Sequence, residues 1–223
     1  MHGLGRTRFS LFRLGLALKP RYQVINLGYP SRKHSIERLA ELAIEPALNL
    51  CKNAPKVHFV THSLGGILVR EYLRKHDTVV DDARPENHRK IENLGRTVML
   101  GPPNQGSELV DFFLGTPILS SLYRTLNGPA GTQLGKTRDS KPNTLGSAAF
   151  EVGVIAGNQS NNPAFNRIMR GPHDGKVSVE SSRLDGMSDH LIMNVDHTFI
   201  MQKHSVIKQI QHFLEFGEFH RNN

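Results

Sequence analysis

The sequence feature that most constrains the fold is a serine set between an apolar strand and an apolar helix. Val57–Val60 is predicted to be a strand, and Ser63 follows it almost at once. Gly65 and Gly66 come directly afterwards, so the chain can turn back sharply and project the serine hydroxyl outwards. A helix is then predicted from apolar residues at helical spacing, namely Leu64, Ile67, Leu68 and Tyr72.

This placement favours a nucleophilic serine. A serine hydroxyl is weakly reactive at neutral pH and needs a neighbouring base, which in turn needs an orienting acid. The start of the following helix would also place the Leu64 N–H and the positive end of the helix dipole beside Ser63. The alternative is that Ser63 simply caps an ordinary helix, which is a common use of serine.

Strands and helices alternate along the rest of the chain. A helix is predicted from Ile36, with a kink or an end at Pro46, and the last helix covers Val206–Leu214. Such alternation predicts an α/β fold with a mostly parallel sheet and flanking helices. Besides Val57–Val60, the predicted strands are Tyr22–Leu27, Thr97–Leu100, Val152–Ala156 and Leu191–Val195.

The composition suits one domain, 1–223, in which residues 104–147 stand out. This segment is rich in Gly, Pro, Ser and Asn, so we interpret it as an insertion above the sheet; 77–90 is predicted to be a surface excursion. The net charge is +8, but the basic residues are scattered, which argues against nucleic acid and allows weak contact with an anionic membrane surface. The run 9–18 is interpreted as a helix of the domain rather than a signal peptide.

Two motifs resemble those of the α/β-hydrolase superfamily. Residues 58–70, HFVTHSLGGILVR, resemble the nucleophile elbow of lipases and esterases, with Thr61 in place of the usual first glycine. The opening residues His2-Gly3-Leu4-Gly5 resemble the oxyanion loop of bacterial triacylglycerol lipases. The resemblance implies that the backbone N–H groups of Leu4 and Leu64 bind the oxyanion, and that His62 packs beside the elbow without joining the triad.

The resemblance also implies a triad in the chain order serine, aspartate, histidine. Asp174, in Asp174-Gly175-Lys176-Val177, is the predicted acid, and Asp185 is the alternative. His197 is the predicted base because it directly follows the last predicted strand, where α/β sheets build their sites.

The function implied is a carboxylic ester hydrolase, an esterase or lipase, that forms an acyl-enzyme on Ser63 and acts on a small-molecule or lipid ester. No cofactor or metal is expected. An acyl transferase or amidase could use the same triad, and a catalytically silent protein that binds lipid or a partner is the alternative from another class. Residues 99–106, MLGPPNQG, also resemble the family, in which the segment that follows forms a cap, so 104–147 is the predicted cap or lid. The alternative is that the apolar pieces of this segment, Leu109–Leu126, are ordinary helices that pack on the sheet.

One expected element is missing from the sequence. In the family a central strand precedes the His-Gly loop and lies between the strands assigned here to Tyr22–Leu27 and Val57–Val60, yet only Met1 precedes that loop. We therefore expect the fold to lack an N-terminal strand and the true chain to start earlier. On this basis the location is open: cytoplasmic if the N-terminus is complete, secreted or periplasmic otherwise. The oligomeric state is also open.

Overall fold

The computed structural model describes residues 1–77 and 91–221. Their sheet has four strands: β1 (Val57–His62), β2 (Leu94–Leu100), β3 (Val152–Gly157) and β4 (Asp189–Met193). The helices are α1 (Phe12–Leu18), α2 (Ile36–Asn49), α3 (Leu64–Asp77), α4 (Glu108–Gly115), α5 (Pro117–Thr132), α6 (Lys141–Thr144), α7 (Pro163–Ile168), α8 (Val179–Ser182) and α9 (His204–Phe216).

The four strands are parallel and pair in chain order, β1-β2-β3-β4. Burial explains the apolar composition of β3, because this strand is buried along its whole length. Parallel pairing aligns the carboxyl ends of the strands at one edge of the sheet. The loops after β1, β2 and β3 therefore open at the same edge, which is where a site in an open α/β sheet forms.

Helices cover both faces of the sheet. On one face, α2 and α3 pack together over β1, with Ile36, Leu39, Ile67 and Leu68 fully buried. On the other face, α1 and α9 bury Val206, Ile210 and Phe213 against β2 and β3. The predicted fold class, helices on both sides of a parallel sheet, is confirmed.

Most of the predicted elements are present, with shifted ends. The strands predicted at Val57–Val60, Thr97–Leu100 and Val152–Ala156 are confirmed, whereas the last strand begins and ends two residues before the predicted Leu191–Val195. Helix α2 passes through Pro46 and ends at Asn49, so the proline does not stop it. The predicted surface excursion, 77–90, lies almost entirely outside the described residues.

The prediction of a strand at Tyr22–Leu27 is wrong. These residues form no regular structure: the side chains of Tyr22 and Val24 pack on the cluster of α1 and α9, and no described strand lies beside them to pair with their backbone. Between them and β1 lies a cavity of about 800 Å³. No described strand occupies that side of β1. Instead Met1 bonds to the β1 edge, where its carbonyl accepts the His62 N–H at 3.0 Å.

The segment predicted as a cap or lid contains α4, α5 and α6, and the chain breaks helical geometry at Gly128 inside α5. Buried Arg70 of α3 ties this segment to the sheet by donating hydrogen bonds to the backbone oxygens of Asn104, Pro142 and Gly146. No helix within 1–77 or 91–221 is both long and apolar enough to cross a membrane. Whether the segment acts as a cap stays a prediction.

Candidate active site

Ser63 occupies the sharp turn between β1 and α3. Its φ is +53°, and no other non-glycine residue among those described has a positive φ. The Ser63 N–H donates to the Leu100 carbonyl of β2 at 2.9 Å, and the Ser63 carbonyl accepts the Gly66 N–H at 3.0 Å. Backbone bonds on both sides thus hold the serine in a conformation that most side chains avoid.

Other chain segments approach this turn closely at two glycines. A Cβ on Gly3 would lie 3.0 Å from the Ser63 Cβ, and a Cβ on Gly65 would lie 3.0 Å from the Met1 carbonyl oxygen. Thr61, which departs from the expected glycine, is fully buried in β1, and its hydroxyl lies 3.4 Å from the Val98 carbonyl. The sheet therefore accommodates the threonine.

Asp174 and His197 form a buried pair. His197 Nδ1 lies 2.7 Å from Asp174 Oδ2, and the His197 backbone N–H donates to the Asp174 carbonyl at 2.9 Å. The other carboxylate oxygen, Oδ1, accepts the N–H groups of Lys176 at 2.9 Å and Val177 at 2.8 Å. Because a carboxylate can only accept, His197 Nδ1 carries the proton, and Nε2 is left as the acceptor. None of the described residues hydrogen-bonds to that Nε2.

Gly101, directly after β2, makes room for this pair. It has φ +51°, and a Cβ there would lie 2.8 Å from Asp174 Oδ2 and 3.1 Å from His197 Nδ1. Contacts under 3.0 Å force a displacement of one partner. The hydrogen bond between Asp174 and His197 therefore depends on the absence of a side chain at this position.

His62 supports His197 from the other side. The two rings lie 4.8 Å apart, and His62 Nε2 is 3.0 Å from the His197 backbone carbonyl. Since a carbonyl accepts, His62 Nε2 carries a proton. Burial and the nearby His197 hold the pKa of His62 well below its usual value, so the ring is neutral. Its Nδ1 is buried without a hydrogen-bond partner among the described residues.

The His-Gly segment is anchored beside the elbow. The His2 ring is buried and stacks on Tyr29 with centroids 4.0 Å apart, and His2 Nε2 accepts the Tyr29 N–H at 3.2 Å. The Tyr29 hydroxyl donates to the His2 carbonyl. No acceptor among the described residues takes the N–H of Leu4 or of Leu64.

One cavity of about 310 Å³ joins these groups. Ser63, His62, His197, Leu4 and Val177 all line it. The rest of the wall is apolar and comes largely from α4, α5 and α7, with Leu109, Val110, Phe113, Leu119, Leu122, Tyr123, Leu126 and Phe165. The cavity can accept an apolar chain whose reacting end lies against Ser63.

The structure brings the predicted site residues together, and only the alternative acid, Asp185, lies elsewhere. Ser63, His197 and Leu4 share the cavity, Asp174 bonds to His197, and Leu64 follows Ser63 at the start of α3. Asp185 instead lies exposed in a turn where its carbonyl binds the Ala148 N–H, so it does not orient His197. In the part of the chain that is described, no group of three His, Cys, Asp or Glu side chains could hold a metal ion.

Three residues of this site were missed from the sequence: Gly101 and two cations at the cavity, Arg6 and Lys176. The packing of His62 beside the elbow was expected, but its hydrogen bond to the His197 carbonyl was not. A glycine straight after a buried strand was the one available signal for Gly101, and it indicates a turn and no more. The other contributions depend on contacts between distant segments, which spacing does not reveal.

Solved structures resemble this chain in fold. A lipase from Bacillus licheniformis in its mature form matches with a TM-score of 0.68 and 19% identity, over 97% of this chain and 89% of that one. Its propeptide form gives a TM-score of 0.69 and 20% identity, and this chain spans half of its length. A phospholipase from Legionella pneumophila gives 0.73 and 14% identity, over 98% of this chain and 59% of that one.

The chain has the α/β-hydrolase fold. At these identities the likeness establishes the fold alone. No protein-family model matches the sequence. No curated protein matches it either. Within the α/β-hydrolase fold, the turn at Ser63 is the strand-to-helix turn after β1, and Asp174 and His197 come from loops after β3 and β4.

The substitution Gly101→Ala should break the Asp174–His197 hydrogen bond, because the new methyl group would overlap both partners. We expect the downfield proton NMR resonance of His197 Nδ1–H to disappear or to move upfield. Gly171→Ala is the matched control, since Gly171 also has a positive φ, +71°, but faces open space. An unchanged resonance in Gly101→Ala would contradict the geometry described for this pair.

The neutral, buried His62 should make the fold sensitive to acid. The pKa of His62 is lower in the folded chain than in the unfolded chain. The contribution of His62 to the free energy of unfolding is therefore complete above about pH 6.5 and is lost as the pH falls below that value. One such group changes the free energy of unfolding by at most about 1.4 kcal/mol per pH unit.

His62→Gln keeps an N–H donor but does not titrate in this range. Urea denaturation at pH 7 and pH 5 should therefore show a smaller loss of stability in His62→Gln than in the unmodified protein. His204→Gln, at an exposed position at the start of α9, is the control and should keep the original loss. An equal loss in His62→Gln and the unmodified protein would mean that His62 is not the group that titrates.

Proposed function

We propose that this protein is a carboxylic ester hydrolase in which Ser63 is the nucleophile, His197 the base and Asp174 the orienting acid. One observation carries the proposal. Ser63, held at φ +53°, lines the same apolar cavity as His197. The Nδ1 of His197 is hydrogen-bonded to buried Asp174 at 2.7 Å. Strained backbone geometry of this kind, beside an oriented base, is typical of an activated serine.

In the first step, His197 Nε2 accepts the Ser63 proton as Oγ forms a bond to the ester carbonyl carbon. The protonation pattern suits this role, because Asp174 fixes the proton on Nδ1 and leaves Nε2 free. The carboxylate also stabilises the imidazolium that forms. Its second oxygen is already occupied by two backbone N–H groups, which keeps the carboxylate oriented.

The tetrahedral intermediate needs donors for its oxyanion. We assign these to the N–H groups of Leu4 and Leu64, which approach Ser63 from two separate segments and have no acceptor among the described residues. The N-terminus of α3 adds the positive end of its dipole. A single donor of this kind typically contributes about 3 kcal/mol of transition-state stabilisation.

Collapse of the intermediate breaks the bond between the carbonyl carbon and the alcohol oxygen, and His197 returns its proton to that oxygen. Water then attacks the acyl-enzyme with His197 as base. This step releases the carboxylic acid product and regenerates free Ser63. The apolar wall from α4, α5 and α7 suits the acyl part of the ester. This supports an esterase or lipase, and 104–147 as the segment that caps the acyl chain.

The Ser63→Ala variant should lower kcat/KM for p-nitrophenyl butyrate by on the order of 10⁴-fold or more, because the nucleophile is lost while the fold is retained. The release of p-nitrophenol gives the rate directly. Ser121→Ala, exposed on α5, is the matched control and should hydrolyse the ester at the unmodified rate. Hydrolysis that survives in Ser63→Ala, or none in the unmodified protein, would refute the proposal; the latter outcome would favour a silent lipid-binding protein.

A further inference from the structure

Two cations border the cavity that contains Ser63. Arg6 comes two residues after Leu4, and Lys176 comes two residues after Asp174, so both belong to segments that build the site. Arg6 Nη2 donates to the Thr198 carbonyl at 3.1 Å, which holds the guanidinium beside the loop that carries His197. Both side chains line the cavity, and they are close enough for the charge of Arg6 to act on Lys176.

Within the described residues, neither cation has an ion-pair partner. No carboxylate among the described residues forms an ion pair with Arg6 or Lys176, whereas many other cations do, including Lys136 with Glu108 and Lys141 with Glu37. The nearest acid, Asp174, uses its two oxygens for His197 and for the backbone of Lys176 and Val177.

The pKa of Lys176 reflects the proximity of the two cations. The Lys176 side chain is exposed, but the surrounding protein removes part of its hydration. This desolvation is the main cause that lowers the pKa of Lys176, and the like charge of Arg6 lowers it further, although Asp174 acts in the opposite direction. Two cations that repel each other at a cavity rim are stabilised by an anion bound between them. The local charge is thus arranged to receive a negative group.

The remaining wall of the cavity is apolar, and the apolar surface continues outside it. Leu122 and Leu126 of α5 line the cavity and are more than half exposed, and Ile118 of the same helix is 87% exposed. A ligand that fits has an apolar chain along α4 and α5 and a negative group near Arg6 and Lys176. The ester must lie between the two parts, beside Ser63.

We infer that Arg6 and Lys176 form an anion subsite and that the substrate is an acyl ester with a phosphate on its alcohol part. The inference rests on the proposed ester hydrolysis. Ser63 Oγ forms its bond to the acyl carbon, the bond from that carbon to the alcohol oxygen breaks, and His197 protonates the leaving oxygen. Water then releases the fatty acid, so the phosphate leaves intact on the alcohol.

The test compares two esters that differ in the phosphate alone: 1-octanoylglycerol 3-phosphate and 1-octanoylglycerol. Octanoate release gives kcat/KM for each, and the ratio of the two values is the readout. We expect the unmodified protein to prefer the phosphate ester by at least about tenfold, since a charge-assisted contact is typically worth 1.5–3 kcal/mol. In the double variant Arg6→Gln/Lys176→Gln the ratio should fall to about one.

A second double variant, Arg13→Gln/Lys52→Gln, is the matched control. It removes the same two charges from exposed positions on α1 and after α2 and should keep the preference. This control separates a local subsite from attraction by the net charge of +8.

The possible outcomes separate this inference from the function on which it rests. Failure of the unmodified protein to hydrolyse p-nitrophenyl butyrate refutes the proposed function. Ser63-dependent hydrolysis of that ester with no preference between the octanoyl esters overturns the anion subsite alone, and so does a preference that persists in Arg6→Gln/Lys176→Gln. Inhibition by inorganic phosphate without a preference between the esters would also overturn it, since the cations would then bind free phosphate and not the substrate.

Discussion

The left-handed backbone at Ser63 is the constraint on which the rest of the site depends. A residue with φ +53° at the end of a buried strand is held there by bonds to β2 and by the first turn of α3. Such a conformation typically costs about 1–3 kcal/mol, which the packing of α3 against α2 and the sheet must offset. The same turn needs Gly3 and Gly65, because the N-terminal segment passes within contact distance of Ser63 and α3. The position of Leu4 follows from that contact.

The base and its acid depend on the sheet in the same way. Parallel strands place the loops after β2, β3 and β4 side by side, so Gly101, Asp174 and His197 meet although they are far apart in sequence. His62, the last residue of β1, binds the His197 carbonyl and connects this pair to the strand that carries Ser63. The position of each group in the proposed mechanism is therefore set mainly by backbone conformation and backbone hydrogen bonds.

Much of the sheet could be predicted from the sequence because its strands are buried apolar runs that end in turns. The run Tyr22–Leu27 is equally apolar, but its side chains pack on α1 and α9. No local pattern distinguishes an apolar run that forms a strand from one that does not. The turn at Ser63 was predictable because its motif is local, and the pairing of Asp174 with His197 was predictable because a family resemblance ordered them. Gly101, Arg6 and Lys176 gave no such signal, since their importance comes from contacts between loops that only the fold creates.

The proposed function requires that Ser63 is an activated nucleophile in the folded protein. The most direct measurement is reaction with a fluorophosphonate probe, followed by intact mass and peptide mapping. We expect one adduct per chain, on Ser63, formed by the folded protein and not after heat denaturation. The absence of an adduct, or an adduct on a different serine, would contradict it.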